Sequence, residues 1–181
     1  MDQITQYRES SFWKWDPALI AASFPAAATT IDVGFSPEGS AQELVIKTIN
    51  SAKNNIRMMA YSFTAPDVMK ALIAAKNRGV DVEIVIDENG NRNKASTAAK
   101  NLIVNAGIAL RTNSHYKIQH DKVIIVDGDT VETGSFNYSA SAEKHNSENA
   151  VVIHGDKDAA NANLKHWQSR WEQGKAYTSS Y

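Results

Sequence analysis

From Ile31 onward, short apolar runs of strand length take turns with one-sided helical stripes, an alternation that restricts the chain to α/β folds. Ile31–Phe35 reads as a strand, and Ala41–Lys53 carries Leu44, Val45, Ile49 and Ala52 at helical spacing. Ile56–Phe63 (IRMMAYSF) is the next apolar run. Thr64 and Asp67 have the spacing of a capping box, Pro66 suits a first helical turn, and Gly79 suits a helix end. Val80–Asp87 (VDVEIVID) reads as a central strand, Glu88–Asn93 as a polar loop, Ala95–Ala106 as a helix closed by Gly107, and Ile108–Arg111 as a short strand. This order predicts a mixed, largely parallel central sheet with helices on both faces. The texture then changes. Lys122–Val126 is a buried strand, Asp127-Gly128-Asp129 a tight turn, and Thr130–Phe136 the return strand of a hairpin. Ala150–Ile153 adds a strand and Asp156–Gln173 a helix, in which Leu164, Trp167 and Trp171 recur at core spacing. No internal duplication is visible.

With 181 residues the chain fits one domain with its own core, here 31–181, preceded by an arm over 1–30. The arm holds Trp13, Trp15 and the apolar Pro17–Ala28 (PALIAASFPAAA), too short to span a bilayer as a helix. That stretch is like a secretory signal core ending in Ala26-Ala27-Ala28, without the usual basic segment before it. It makes a periplasmic or secreted location the expectation, with a cytoplasmic location the alternative because that basic segment is missing. The 19 basic and 20 acidic residues exclude a purely electrostatic nucleic-acid coat. The absence of cysteine excludes thiolate metal sites and a cysteine nucleophile.

Chemistry concentrates between His120 and Asn137 (HDKVIIVDGDTVETGSFN). On a strand, His120 and Lys122 point to one face. Both resist burial, which makes them a poor core pair and a good phosphate site. An imidazole serves as nucleophile or acid–base near neutral pH, and an ammonium holds phosphate oxygens. The hairpin returns Gly134, Ser135 and Asn137 beside His120, with a hydroxyl and an amide as further donors. Gly134 leaves room for close ligand approach. Asp127, before Gly128, reads as a turn residue with a structural role.

His120, Lys122, Asp127, Gly134, Ser135 and Asn137 stand at the spacings H-x-K, four residues, D, six residues, G-S-x-N. The chain in this way resembles the phospholipase D superfamily, whose HKD motif this is, and in particular its small bacterial Nuc-type endonucleases. Phe35–Ala41, Ile56–Pro66, Val85–Glu88 and Asn146–Ile153 extend the likeness. The resemblance implies phosphodiester cleavage through a phosphohistidine, with His120 and Lys122 catalytic and Lys122, Ser135 and Asn137 on the phosphate. It implies that Glu148 supports the Nδ1 of a histidine, and that neither metal nor cofactor is needed. Two imidazoles are required, one to attack and one to protonate the leaving oxygen, yet the chain has one HKD motif. His115 and Lys117 only echo it. A homodimer with one site on its two-fold axis supplies the second.

The leading function is therefore a sequence-nonspecific endonuclease acting on DNA, with RNA as a further substrate class. A lipid phosphodiesterase is the alternative, set against the lack of a basic interfacial helix, and no stable membrane association is expected. A catalytically dead nucleic-acid-binding module is the third reading, disfavoured by the intact motif. Lys70, Lys76, Arg78, Arg92, Lys94 and Lys100 are a candidate backbone-binding face or an ordinary solvated helix surface.

Overall fold

The computed structural model describes residues 28–179. Most of the arm expected over 1–30, with its signal-like stretch and both its tryptophans, lies outside the described residues. In chain order the elements are β1 (Thr30–Ser36), α1 (Ser40–Ser51), β2 (Asn55–Ala60), α2 (Pro66–Asn77) and β3 (Asp81–Asp87). A 3-10 turn, Asn89–Asn91, leads to α3 (Lys94–Asn105) and β4 (Ala109–Asn113). Then follow β5 (Lys122–Val126), β6 (Thr130–Gly134), α4 (Ala140–Lys144), β7 (Glu148–His154), α5 (Lys157–Gln173) and β8 (Lys175–Ala176).

All eight strands form one sheet in the order β1-β7-β6-β5-β2-β3-β4-β8. The mixed α/β sheet with helices on both faces is as expected, but its description as largely parallel is corrected. Among the strands, parallel pairing is confined to β2 with β3 and β3 with β4. There a helix separates successive strands and carries the chain back to the same end. The other pairings are antiparallel. Between β5 and β6 only Asp127–Asp129 intervenes, too short for a crossover.

Period-two alternation divides the apolar strands between two cores. Met58, Ile84 and Ile124 face α1, α2 and α3 with Val45, Ile49, Leu72 and Ile103. Their neighbours Met59, Val85 and Ile125 face α5 with Ala160 and Trp167. Strands covered on both sides are apolar on both faces, which is why Val123–Val126 of β5 read as one unbroken run. Each fully buried Ile or Met in these layers contributes about 1.5–3 kcal/mol.

The expected capping box does not form. The N-cap of α2 is Ala65, without a side-chain cap bond, and Pro66 opens the helix. The backbone N–H groups of Thr64 and Ala65 instead both donate to the Tyr138 carbonyl, at 2.8 and 2.9 Å. That clasp ties the end of β2 to the segment after β6. Register places further chain ends beside it: Ala60 opposite Lys122, Gly134 opposite Ala150, and Ser36 opposite Glu148.

Candidate active site

His120, Lys122, Gly134, Ser135, Asn137 and Glu148 line one open cavity of about 400 Å3. Every residue singled out for phosphate chemistry therefore meets at this end of the sheet. His120 lies just before β5 and is exposed. Lys122, the first residue of β5, is only 6% exposed. Its Nζ donates to the His120 carbonyl at 2.9 Å and sits 5.3 Å above the Tyr61 ring centroid. Burial pushes the Lys122 ammonium down from its usual value, against the pull of the Asp121 and Glu148 carboxylates. A phosphate entering the cavity supplies the counter-charge that burial withholds. The His120 ring packs against Tyr61, centroids 4.6 Å apart and planes at 58°.

Ser135 makes two backbone links to β7. Its N–H donates to the Asn149 carbonyl at 3.0 Å, and its Oγ accepts from the Asn149 N–H at 3.0 Å. With its oxygen engaged in this way, the hydroxyl proton is free to point into the cavity. The Asn137 Oδ1 is buried and without a partner among the described residues. The Glu148 carboxylate accepts from the Asn146 Nδ2 at 2.9 Å, and within the single chain no described hydrogen bond joins it to the His120 ring.

Gly134 lines the cavity and is also closed in by β7, which gives it a structural role. A Cβ there would lie 2.2 Å from the Asn149 carbonyl oxygen, so the neighbouring strand approaches its backbone closely. Asp127 is structural, and does more than turn the chain. Its carboxylate accepts the backbone N–H groups of Lys53, Asn54 and Asn55 at 2.9, 2.8 and 2.9 Å, holding the entry to β2. Burial pushes its pKa up, but those donors and the Lys53 charge outweigh it and hold the carboxyl below its usual range.

The other histidines stay outside the cavity. His154 pairs with Asp32 and His166 with Asp121, each at 3.1 Å, while His115 packs edge-on against Tyr116. Of the candidate basic face, Lys70 pairs with Asp67, Arg92 with Glu88, and Arg78 donates to the carbonyls of Ile49 and Asn50. Lys100 is buried and donates to the Asn91 carbonyl at 2.8 Å. Among the described residues, no group of three or more His, Asp or Glu side chains is placed to hold a metal ion.

Residues 45–171 match the family model described as cardiolipin synthase, PLD-like domain. The chain belongs to the phospholipase D-like family. Members of this family are phosphodiesterases. The chain is 64% identical to a crystal structure of a phospholipase D family member, Nuc from Salmonella typhimurium, with a TM-score of 0.83, covering 84% of this chain and 100% of that one. NucT from Helicobacter pylori shares the fold, with a TM-score of 0.74 at 23% identity over 83% of this chain and 100% of that one. A Rickettsia bellii protein named phospholipase D is 36% identical over 136 residues, 75% of this chain and 66% of that protein's length.

Tyr61, part of the apolar run Ile56–Phe63, has its ring against both His120 and Lys122. No local pattern pairs position 61 with positions 120 and 122. The one signal in the sequence is that Tyr61 closes the apolar run whose strand, β2, ends at Ala60 opposite Lys122.

Proposed function

We propose that the chain is a metal-independent, sequence-nonspecific endonuclease that hydrolyses DNA, and RNA as a further substrate, through a phosphohistidine at a site shared by two copies. The observation that carries this reading is the meeting of exposed His120 with Lys122, Ser135, Asn137 and Glu148 in one open cavity, on a chain 64% identical to Nuc. In the first step a His120 ring nitrogen attacks phosphorus. The P–N bond forms, the bond to the leaving oxygen breaks, and a second imidazole gives that oxygen its proton. Water then attacks phosphorus, the second imidazole takes its proton, and the P–N bond breaks. Lys122, the Ser135 hydroxyl and Asn137 hold the phosphate oxygens as charge moves among them. Glu148 orients an imidazole through Nδ1. Asp127 and Gly134 hold the hairpin and its neighbours in place.

The second imidazole comes from a second copy. His120 is the one histidine lining the cavity. A suitable interface lies beside it. Ile31, Val33 and Phe35 on one face of β1 are 62%, 52% and 53% exposed, and they pair with Ile153, Val151 and Asn149 of β7. Helix α5 packs on that side of the sheet over β6, β5, β2, β3 and β4, away from β1. The apolar row runs to Phe35, whose pairing partner Asn149 is bonded to Ser135 of the site. A self-complementary two-fold contact here buries exposed apolar surface next to the cavity.

Assays of cleavage and of mixed dimers test the reading. Plasmid DNA incubated with the chain in EDTA is expected to be degraded, while phosphatidylcholine vesicles release no choline. Choline release without DNA cleavage supports the lipid phosphodiesterase reading, which the Rickettsia relatives named phospholipase D favour. Heterodimers of wild-type and His120→Asn chains are expected to lose turnover; half-activity per mixed dimer contradicts a shared site. Pro17–Ala28 is the basis for proposing a periplasmic or secreted enzyme, which cell fractionation checks. No helix among the described residues is long and apolar enough to cross a membrane.

A further inference from the structure

The turn between β3 and α3 carries a buried polar cluster that the chemistry above does not use. Asp87 is fully buried. Its Oδ2 accepts the Gly90 N–H at 2.6 Å, and its Oδ1 accepts the Gln119 N–H at 2.7 Å. Asn91, also fully buried, accepts the Phe63 N–H at 3.0 Å and donates through Nδ2 to the carbonyls of Tyr61, at 2.5 Å, and Asp87, at 2.8 Å. The Lys100 ammonium closes the cluster on the Asn91 carbonyl.

These bonds share one destination. Gln119 immediately precedes His120, and Tyr61 is the residue whose ring lies 4.6 Å from the His120 ring. The turn also touches that ring directly. A Cβ on Gly90 would lie 3.0 Å from the Tyr61 Cε2 and 3.3 Å from its Cζ. Gly90 is not among the glycines of positive φ, so its backbone does not demand glycine. What crowds a side chain at position 90 is the Tyr61 ring on one side and the Asp87 carboxylate, 3.2 Å away, on the other, so a methyl there must push the ring by a few tenths of an ångström.

We propose that the Asp87–Asn91 turn is a positioning cradle for His120, gripping the backbone at Gln119 with one residue and the Tyr61 ring and carbonyl with two others. The proposal rests on the reading of His120 as the nucleophile. His120 lies outside β5 and is exposed, so the strand ladder alone does not hold its ring. Asp87, Gly90 and Asn91 act on it through Gln119 and Tyr61, as positioning residues. An attacking nitrogen must meet phosphorus in line, and misplacement by an ångström costs up to about a hundredfold in rate.

The test compares Gly90→Ala, Tyr61→Leu and the double variant in the full chain. The first readout is the imidazole proton resonance of His120, assigned by its loss in His120→Asn, which feels the ring current of Tyr61. The second is turnover of bis(p-nitrophenyl) phosphate. Gly90→Ala is expected to shift the resonance and lower kcat about tenfold, with KM within about twofold and thermal unfolding close to wild type. In the Tyr61→Leu background the same alanine is expected to add less than about a twofold effect, because the ring it displaces is gone. Tyr61→Leu alone must also shift the resonance, which decides the matter should Gly90→Ala fail to fold. An unmoved resonance in both folded single variants overturns the cradle, as do effects that multiply in the double variant. The resonance needs no turnover. A wild-type chain inert toward phosphodiesters therefore sinks the proposed function while the cradle is still judged on the resonance.

Discussion

Replacing Glu132 with glutamine should stabilise this protein at neutral pH, by an amount that grows with pH. Glu132 lies in β6, fully buried, and accepts a hydrogen bond from the Tyr138 hydroxyl at 2.7 Å. Its other carboxylate oxygen is buried without a partner among the described residues. Burial dominates, raising its pKa from 4.5 to about 8 against the smaller opposing effect of the Tyr138 bond. The folded state therefore holds a proton that the unfolded state gives up. Below about pH 4.5 the carboxyl is protonated in both states and the fold has its full stability. Between there and about pH 8 stability falls by about 1.4 kcal/mol per pH unit, and above that it levels off. By pH 7 the loss amounts to about 3 kcal/mol. The Glu132→Gln side chain keeps an acceptor for Tyr138 and has no proton to lose. Urea unfolding followed by tryptophan fluorescence from pH 5 to pH 8 measures both chains. The difference between them should widen with pH, from under about 1 kcal/mol at pH 5 to about 3 kcal/mol at pH 7. Parallel curves refute the reasoning, because they mean that Glu132 titrates alike in folded and unfolded chains.

Asp127→Asn removes a charged acceptor from three backbone N–H groups and is expected to cost about 1–2 kcal/mol in urea unfolding at pH 7. Because the folded carboxyl titrates below its ordinary value of 3.8, its contribution is present above that pH and fades as the solution is acidified through the folded pKa. Gly134→Ala drives a Cβ to 2.2 Å from the Asn149 carbonyl oxygen, so β6 and β7 must part. A loss of about 2–4 kcal/mol or more is expected, visible as a large drop in thermal midpoint. DNA cleavage by the wild-type chain should persist in EDTA. A nuclease silenced by the chelator and restored by magnesium contradicts the metal-independent mechanism.

Much of this architecture is legible in the sequence because the two periodicities it uses are strong. Adjacent Met58 and Met59 part to opposite cores, as do Ile84 and Val85, and such pairs mark strands covered on both faces. The spacing from His120 to Asn137 brings the cavity-lining residues of β5 and the β6 hairpin together without reference to tertiary structure. The strand–helix alternation of the first half also invited too much parallel pairing, since tight connections govern the second half. Helix α4 has five residues and β8 two, too few to show a period. The Thr64–Asp67 pattern had the spacing of a cap, but the Thr64 backbone is taken by Tyr138. The polar cluster of Asp87, Asn91 and Lys100 was unreadable for a related reason. Its bonds join residues up to 32 positions apart, as in Gln119 to Asp87, and nothing local distinguishes a buried carboxylate with two backbone donors from an exposed loop acid.

The central claim is that His120 attacks phosphorus and carries the phosphoryl group between the two steps. Mixing the chain with a short oligonucleotide, quenching within milliseconds in alkali, where phosphohistidine survives, and mapping peptides by mass spectrometry tests it most directly. The account predicts a nucleotidyl adduct on the peptide containing His120 that appears before product is released, decays at the rate of turnover, and is absent from His120→Asn. Full cleavage with no adduct at any quench time, or an adduct on another residue, contradicts it.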